Sequence, residues 1–252
     1  MAQTLILADG DSLSLQSYNL QTGAQNWSVT SFSLGYPLSV RDTIWLGHRD
    51  NLDSAIEYSV ATGAPTGNSA ALSGDNQSQL LDGTTDGTFN YSVRFPNSAV
   101  FRANGDWTNS TFLFNAPVGG NTAFGITYDT SSSRLWLNAG GNLYRYSLAG
   151  VEEFSFPHTG GNGGIAFDNS NNTLWIVPND PSADLLQYDT NGNFLSSLTA
   201  LGRSSNVWGA EIQFAAIPEP GTIALIAGLA VTGGVGAWWR KRKNNKYSAS
   251  KR

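Results

Sequence analysis

Of the five glutamates in the chain, Glu57, Glu152, Glu153, Glu211 and Glu219, Glu211 has the setting that best suits chemistry. It lies in "NVWGAEIQFAA" (206–216), a predicted strand. Hydrolysis of a glycosidic bond needs two carboxyl groups facing one cleft, one a protonated acid and the other a nucleophile or base. Its candidate partners are aspartates that recur near the ends of predicted leading strands: Asp42, Asp82 or Asp86, Asp129 and Asp168. That recurrence argues for a structural role, because an Asp after a strand accepts local backbone N–H bonds and fixes a turn. The expectation is therefore no catalytic residue, with a glycan-active hydrolase using Glu211 and one Asp as the alternative.

Other chemistries find less support. His48 and His158 are the only histidines, too few for a multi-histidine metal site, and both read as solvated loop residues. No G-x-S-x-G, H-E-x-x-H or phosphate-binding glycine loop is present. "ADGDSLS" (8–14) and "PNDPSAD" (178–184) could offer oxygen ligands to calcium, although neither has EF-hand spacing. No cofactor is expected. Cysteine is absent, which excludes disulfides and thiolate metal sites.

The elements that must carry these residues repeat. "FGITYDTSSSRLWLNAGGNLYRYSLAGVEEFSF" aligns with "GGIAFDNSNNTLWIVPNDPSADLLQYDTNGNFLSSL". Asp129 and Asp168 are 39 residues apart, as are Trp136 and Trp175. Each copy reads as four short strands joined by Gly, Asn, Asp and Ser turns, and repeats near 40 residues with four strands are the mark of propeller blades. Turn glycines at Gly23, Gly63, Gly105, Gly150 and Gly192 extend the rhythm to five units, each predicted to supply the positive φ of a tight hairpin. The expected fold is an all-β, five-bladed β-propeller over 1–216. Its blades fall at 4–34 with 206–216, 36–74, 77–115, 121–160 and 161–202. The first unit lacks a leading strand, and 206–216 has no following one. The two ends should therefore share a blade and close the ring, removing exposed edges.

Charge is divided along the chain. Seven of the 14 basic residues lie within 240–252, while all 19 acidic residues precede Gly221. An acidic body argues against nucleic acid as a partner. Ahead of the basic tail, "TIALIAGLAVTGGVGAWW" (222–239) is uncharged and as a helix would span about 27 Å, enough for a bilayer core. Arg240, Lys241, Arg242 and Lys243 would then form a cytoplasmic membrane stop.

Pro218, Glu219 and Pro220, followed by that apolar span and the basic cluster, resemble the PEP-CTERM sorting signal, here residues 217–252. The resemblance implies an exported protein, held briefly in the inner membrane by its helix. An exosortase-type enzyme would process it near Pro218–Pro220, and it would then be displayed on the cell surface or in the extracellular matrix of an exopolysaccharide-making bacterium. It also implies a secretory leader, and "MAQTLILADGDSLSL" has neither the basic start nor the apolar length of one; the leader is expected upstream of Met1. A tail-anchored scaffold with a cytoplasmic body is a further alternative, but it places the basic cluster against the positive-inside tendency. The body resembles NHL- or WD-like propellers through "GGIAFD", "TLWIV" and "LLQYDTNGNFLSSL". That likeness implies a fold and, with the tail, a non-enzymatic binding or structural protein whose partner is a surface glycan or a protein.

Overall fold

The computed structural model describes residues 3–10, 13–30, 36–47, 54–75, 79–203 and 206–213. His48 and the whole 217–252 segment, with Pro218, Glu219, Pro220 and Arg240–Lys243, lie outside them. Among the described residues no helix is long and apolar enough to cross a membrane.

Among the described residues, twenty strands form five four-stranded antiparallel sheets, each a blade. Blade 1 combines β1 (Thr4–Asp9), β2 (Ser14–Asn19) and β3 (Gln25–Thr30) with β20 (Val207–Ile212). Its order is β20-β1-β2-β3, so the two ends of the described chain complete one sheet. Blade 2 holds β4 (Leu38–Val40), β5 (Thr43–Leu46), β6 (Ser54–Ser59) and β7 (Pro65–Ala71). Blade 3 holds β8 (Leu80–Thr85), β9 (Phe89–Arg94), β10 (Ala99–Asn104) and β11 (Thr111–Asn115). Blade 4 runs from β12 (Ala123–Asp129) through β13 (Arg134–Ala139) and β14 (Asn142–Tyr146) to β15 (Glu152–Pro157). Blade 5 runs from β16 (Gly163–Asp168) through β17 (Thr173–Pro178) and β18 (Leu185–Asp189) to β19 (Phe194–Leu198).

The inner strands β20, β4, β8, β12 and β16 pack against one another in ring order. Five blades leave little space at the axis, and glycine supplies the clearance. A Cβ on Gly83 would lie 3.0 Å from the Leu38 nitrogen, one on Gly125 2.6 Å from the Gly163 oxygen, and one on Gly164 2.7 Å from the Ala210 Cβ. Between blades, alternating side chains form apolar layers. Trp136 packs with Ile165, Phe167 and Leu174 across the blade 4–blade 5 gap, and Trp175 with Leu5, Leu7 and Tyr18 across the blade 5–blade 1 gap.

Four of the five expected hairpin glycines have positive φ: Gly23, Gly63, Gly150 and Gly192. Gly105 does not. In blade 3 the left-handed positions of the β10–β11 loop fall on Trp107 and Asn109, and a Cβ on Gly105 would meet the Arg41 guanidinium at 2.3 Å. Here glycine admits a neighbour's side chain instead of bending the chain.

Candidate functional site

An inner strand pairs only on its outer side, so its axis-facing edge carries backbone N–H groups without ladder partners. Side chains from neighbouring blades satisfy them. Asp82, in the middle of β8, accepts through Oδ2 from the N–H of Ile126 (3.0 Å) and of Ile165 (3.4 Å). Its Oδ1 accepts from Ala210 (3.1 Å) and from its own neighbour Gly83 (2.8 Å). One carboxyl group thus ties β8, β12, β16 and β20 together. Thr84 Oγ1 accepts from Tyr128 N–H at 3.0 Å, and Thr127 Oγ1 from Phe167 N–H at 2.9 Å. Glu211, on β20, is held by the Thr84 hydroxyl and the Ile212 N–H.

Asp82 and Glu211 are both buried, at 0% and 1% exposure. Burial pushes each carboxyl well above the usual carboxylate range, and for Glu211 the charge of Asp82 adds to the rise. The opposing hydrogen bonds are unequal: four N–H donors face Asp82, while Glu211 has two donors and an Oε2 with no partner. The two carboxyls are coupled and titrate as a pair. Two carboxyl groups do converge on the axis, then, but both are sealed and Asp82 has both oxygens occupied. They are placed to hold strands together and are out of reach of a substrate.

The other recurring aspartates separate into two kinds. Asp86, Asp129 and Asp168 stand at the ends of leading strands and cap the following turns. Asp86 accepts from Thr88 and Phe89, Asp129 from Ser131 and Ser132, and Asp168 from Ser170. Asp82 is not one of this series, because it sits inside β8. Asp42 lies between β4 and β5 and lines a shallow cavity with Trp27 and Gln213.

The calcium-like loop has an internal cation. The carbonyls of Pro178, Asp180 and Ala183 all accept from the Arg203 guanidinium, the last at 2.8 Å. Arg203 is 6% exposed, and Asp180 Oδ1 is taken by Ser182. Among the described residues no group of three His, Asp or Glu side chains could hold a metal ion.

His158 is a correction to the sequence reading. It is half-buried, not solvated, and burial lowers its pKa to about 4. Nδ1 accepts from Gly160 N–H at 3.0 Å, so Nε2 carries the proton and donates to Asn138 Oδ1, also at 3.0 Å. Asn138 in turn donates to the carbonyls of Gly161 and Gly163. The neutral imidazole braces the entry to blade 5.

Above the sealed axis lies the surface that sequence reasoning missed. The inner strands begin on this upper face, and four rings from four blades form an arc across it. Phe124, second in β12, stacks on Trp208, second in β20, with centroids 5.3 Å apart and planes at 24°. Tyr36 meets Trp208 edge-on at 6.5 Å, and Phe95 leans on Phe124 at 6.4 Å. Tyr36 is buried, Phe124 and Trp208 are half-buried, and Phe95 is 37% exposed. On the same face, a cavity of about 660 Å³ is lined by Thr159, Asn162, Asn179, Asp180 and Asp184. Aromatic rings can stack on an uncharged polar chain, and the amides, hydroxyl and carboxylates of this cavity can hydrogen-bond one. No linear spacing marks these rings, which come together only when the ring closes.

No protein-family model matches the chain, and no curated protein matches it. Solved structures do. A chain of a nidogen/laminin complex aligns with TM-score 0.55 and 10% identity over 84% of this chain and 98% of its own. A functionally unknown protein from Desulfotomaculum acetoxidans DSM 771 aligns with TM-score 0.52 and 10% identity over 84% of this chain and 99% of its own. At such identity the likeness concerns the propeller fold alone.

Proposed function

We propose that this chain is an exported, non-enzymatic binding propeller of the cell surface or extracellular matrix, whose upper face holds a glycan chain of the exopolysaccharide. The aromatic arc of Tyr36, Phe95, Phe124 and Trp208 carries the reading. Partly exposed rings stack on the apolar faces of sugar rings, and the acidic body disfavours phosphate polymers. The export part rests on the resemblance of 217–252 to a PEP-CTERM signal, with an exosortase-type enzyme as processing partner and a transient membrane stage through 222–239. The sealed state of Asp82 and Glu211 favours binding over glycoside hydrolysis.

Two measurements test it. Exopolysaccharide purified from the producing bacterium should retain the wild-type protein in a sedimentation assay, and Trp208→Ala should weaken retention about tenfold. Equal retention of the two proteins would remove the arc from the account. Mass spectrometry of the native protein should find the tail cut near Pro218–Pro220; an intact Arg252 in the mature, membrane-bound form would overturn the sorting-signal reading.

A further inference from the structure

The lower face, where the hairpin glycines lie, has a second kind of site. Strand register makes Trp45, Trp136 and Trp175 equivalent positions of blades 2, 4 and 5. Their neighbours on the next strand are Glu57, Arg145 and Gln187. In blade 2 the Trp45 indole donates to Glu57. In blade 4 Arg145 lies over the Trp136 ring at 5.5 Å, and Phe154 and Phe156 pack edge-on at 6.2 and 5.7 Å. Blade 5 has neither arrangement. Gln187 spends its amide on Thr173 (2.8 Å) and Ser196 (2.7 Å), and Ser196 stands where blade 4 has Phe154.

Two consequences follow. The small polar side chains open a pocket of about 400 Å³ between blades 5 and 1, lined by Gln3, Asp168, Trp175, Gln187 and Ser196 among others. Two groups of opposite type in its lining have no partner, the donor Trp175 Nε1 and the acceptor Asp168 Oδ2; Trp136 Nε1 of blade 4 is likewise unpartnered, but there Arg145, Phe154 and Phe156 pack on the ring. Asp168 is fully buried and Trp175 is 5% exposed. They lie diagonally on one face of the β16–β17 pair, within reach of one bridging molecule. Gln3 reaches over Asp168, donating to its Oδ1 and, at 2.7 Å, to Ser170 Oγ. A buried unpaired donor and acceptor each cost free energy that a matching ligand recovers.

We propose that this pocket binds a small neutral polyol. One hydroxyl donates to Asp168 Oδ2, the adjacent oxygen accepts from Trp175 Nε1, and Gln3 moves aside as the cover. The site is independent of the upper-face reading and lies on the opposite side of the ring. A polymer bound above and a sugar terminus held below would make each propeller a cross-link.

The test is a titration of the ¹⁵N-labelled full chain with ribose, glucose and glycerol, following the eight indole N–H signals. The signal missing in Trp175→Phe should move saturably with at least one probe, half-saturating in the millimolar range. Ser196→Phe, which rebuilds the blade 4 packing, should abolish the shift. No saturable shift of that signal with any probe, or a shift that survives in Ser196→Phe, overturns the proposal. Should Ser196→Phe not fold, Gln3→Ala decides. Removing the cover should tighten binding severalfold, and unchanged or weaker binding counts against the site.

Discussion

The Asp82 carboxylate on β8 accepts the backbone N–H of Ala210 on β20 at 3.1 Å, joining residues 128 positions apart. The same group holds β12 and β16, so one side chain fastens four of the five inner strands at the axis. Closure by terminal strands is usually described by the outer ladder, here β1 against β20. In this protein the axis adds a second fastening, because inner strand edges cannot pair with anything except side chains.

Asp82→Ala should therefore destabilise far more than a surface change. Four buried N–H groups would lose their acceptor, at about 1–3 kcal/mol for each that water cannot reach. Urea unfolding should show a loss above about 3 kcal/mol, with Asp42→Ala as the mild control. A loss as small as the control's would mean that the axial fastening contributes little.

Glu211, together with Asp82, shapes the high-pH side of the stability profile. Its folded-state pKa is raised by burial and by Asp82. The contribution is thus complete below the ordinary carboxyl value and lost as pH rises through the folded value. Glu211→Gln keeps the shape and removes the proton, so it should flatten the decline in melting temperature on raising pH from about 4.5. A slope unchanged in the variant would assign the decline to other groups.

His158 sets the acid side with the opposite sign. Its pKa falls to about 4 in the fold, because burial disfavours the charged imidazolium. The stability it supports is present above about 6.5 and lost as pH falls toward 4, by up to about 3 kcal/mol. Denaturant titrations at pH 7 and 4.5 should show this loss in the wild type and much less of it in His158→Gln.

Arg203 holds three carbonyls of the 178–184 loop. Lysine offers a point charge in place of a planar fork, so Arg203→Lys should free part of the loop. Limited proteolysis should cut between Pro178 and Asp184 faster in the variant, and equal rates would show that the loop holds itself.

Much of the fold was legible because it is local. The turn bonds of Asp129 and Asp168 and the glycines of four hairpins each act within a few residues of where they stand, so one repeat reports the next. Gly105 misled because a glycine can serve a turn or a close approach, and only the position of Arg41 separates the two. His158 misled for the same reason: a loop histidine is solvated unless a neighbouring blade covers it.

By itself the sequence determined the blade repeat, four of the hairpin glycines and the pairing of the two ends, since strand alternation and turn chemistry are encoded within about 40 residues. It also bounded the charge and placed the apolar tail. The tertiary structure alone decided what Asp82, Glu211, Arg203 and the rings of Phe124 and Trp208 do. Asp82 looked like one more turn residue because its partners lie 44, 83 and 128 positions away. A free backbone edge at the axis exists only once five sheets have closed around it, and no stretch of sequence contains that geometry.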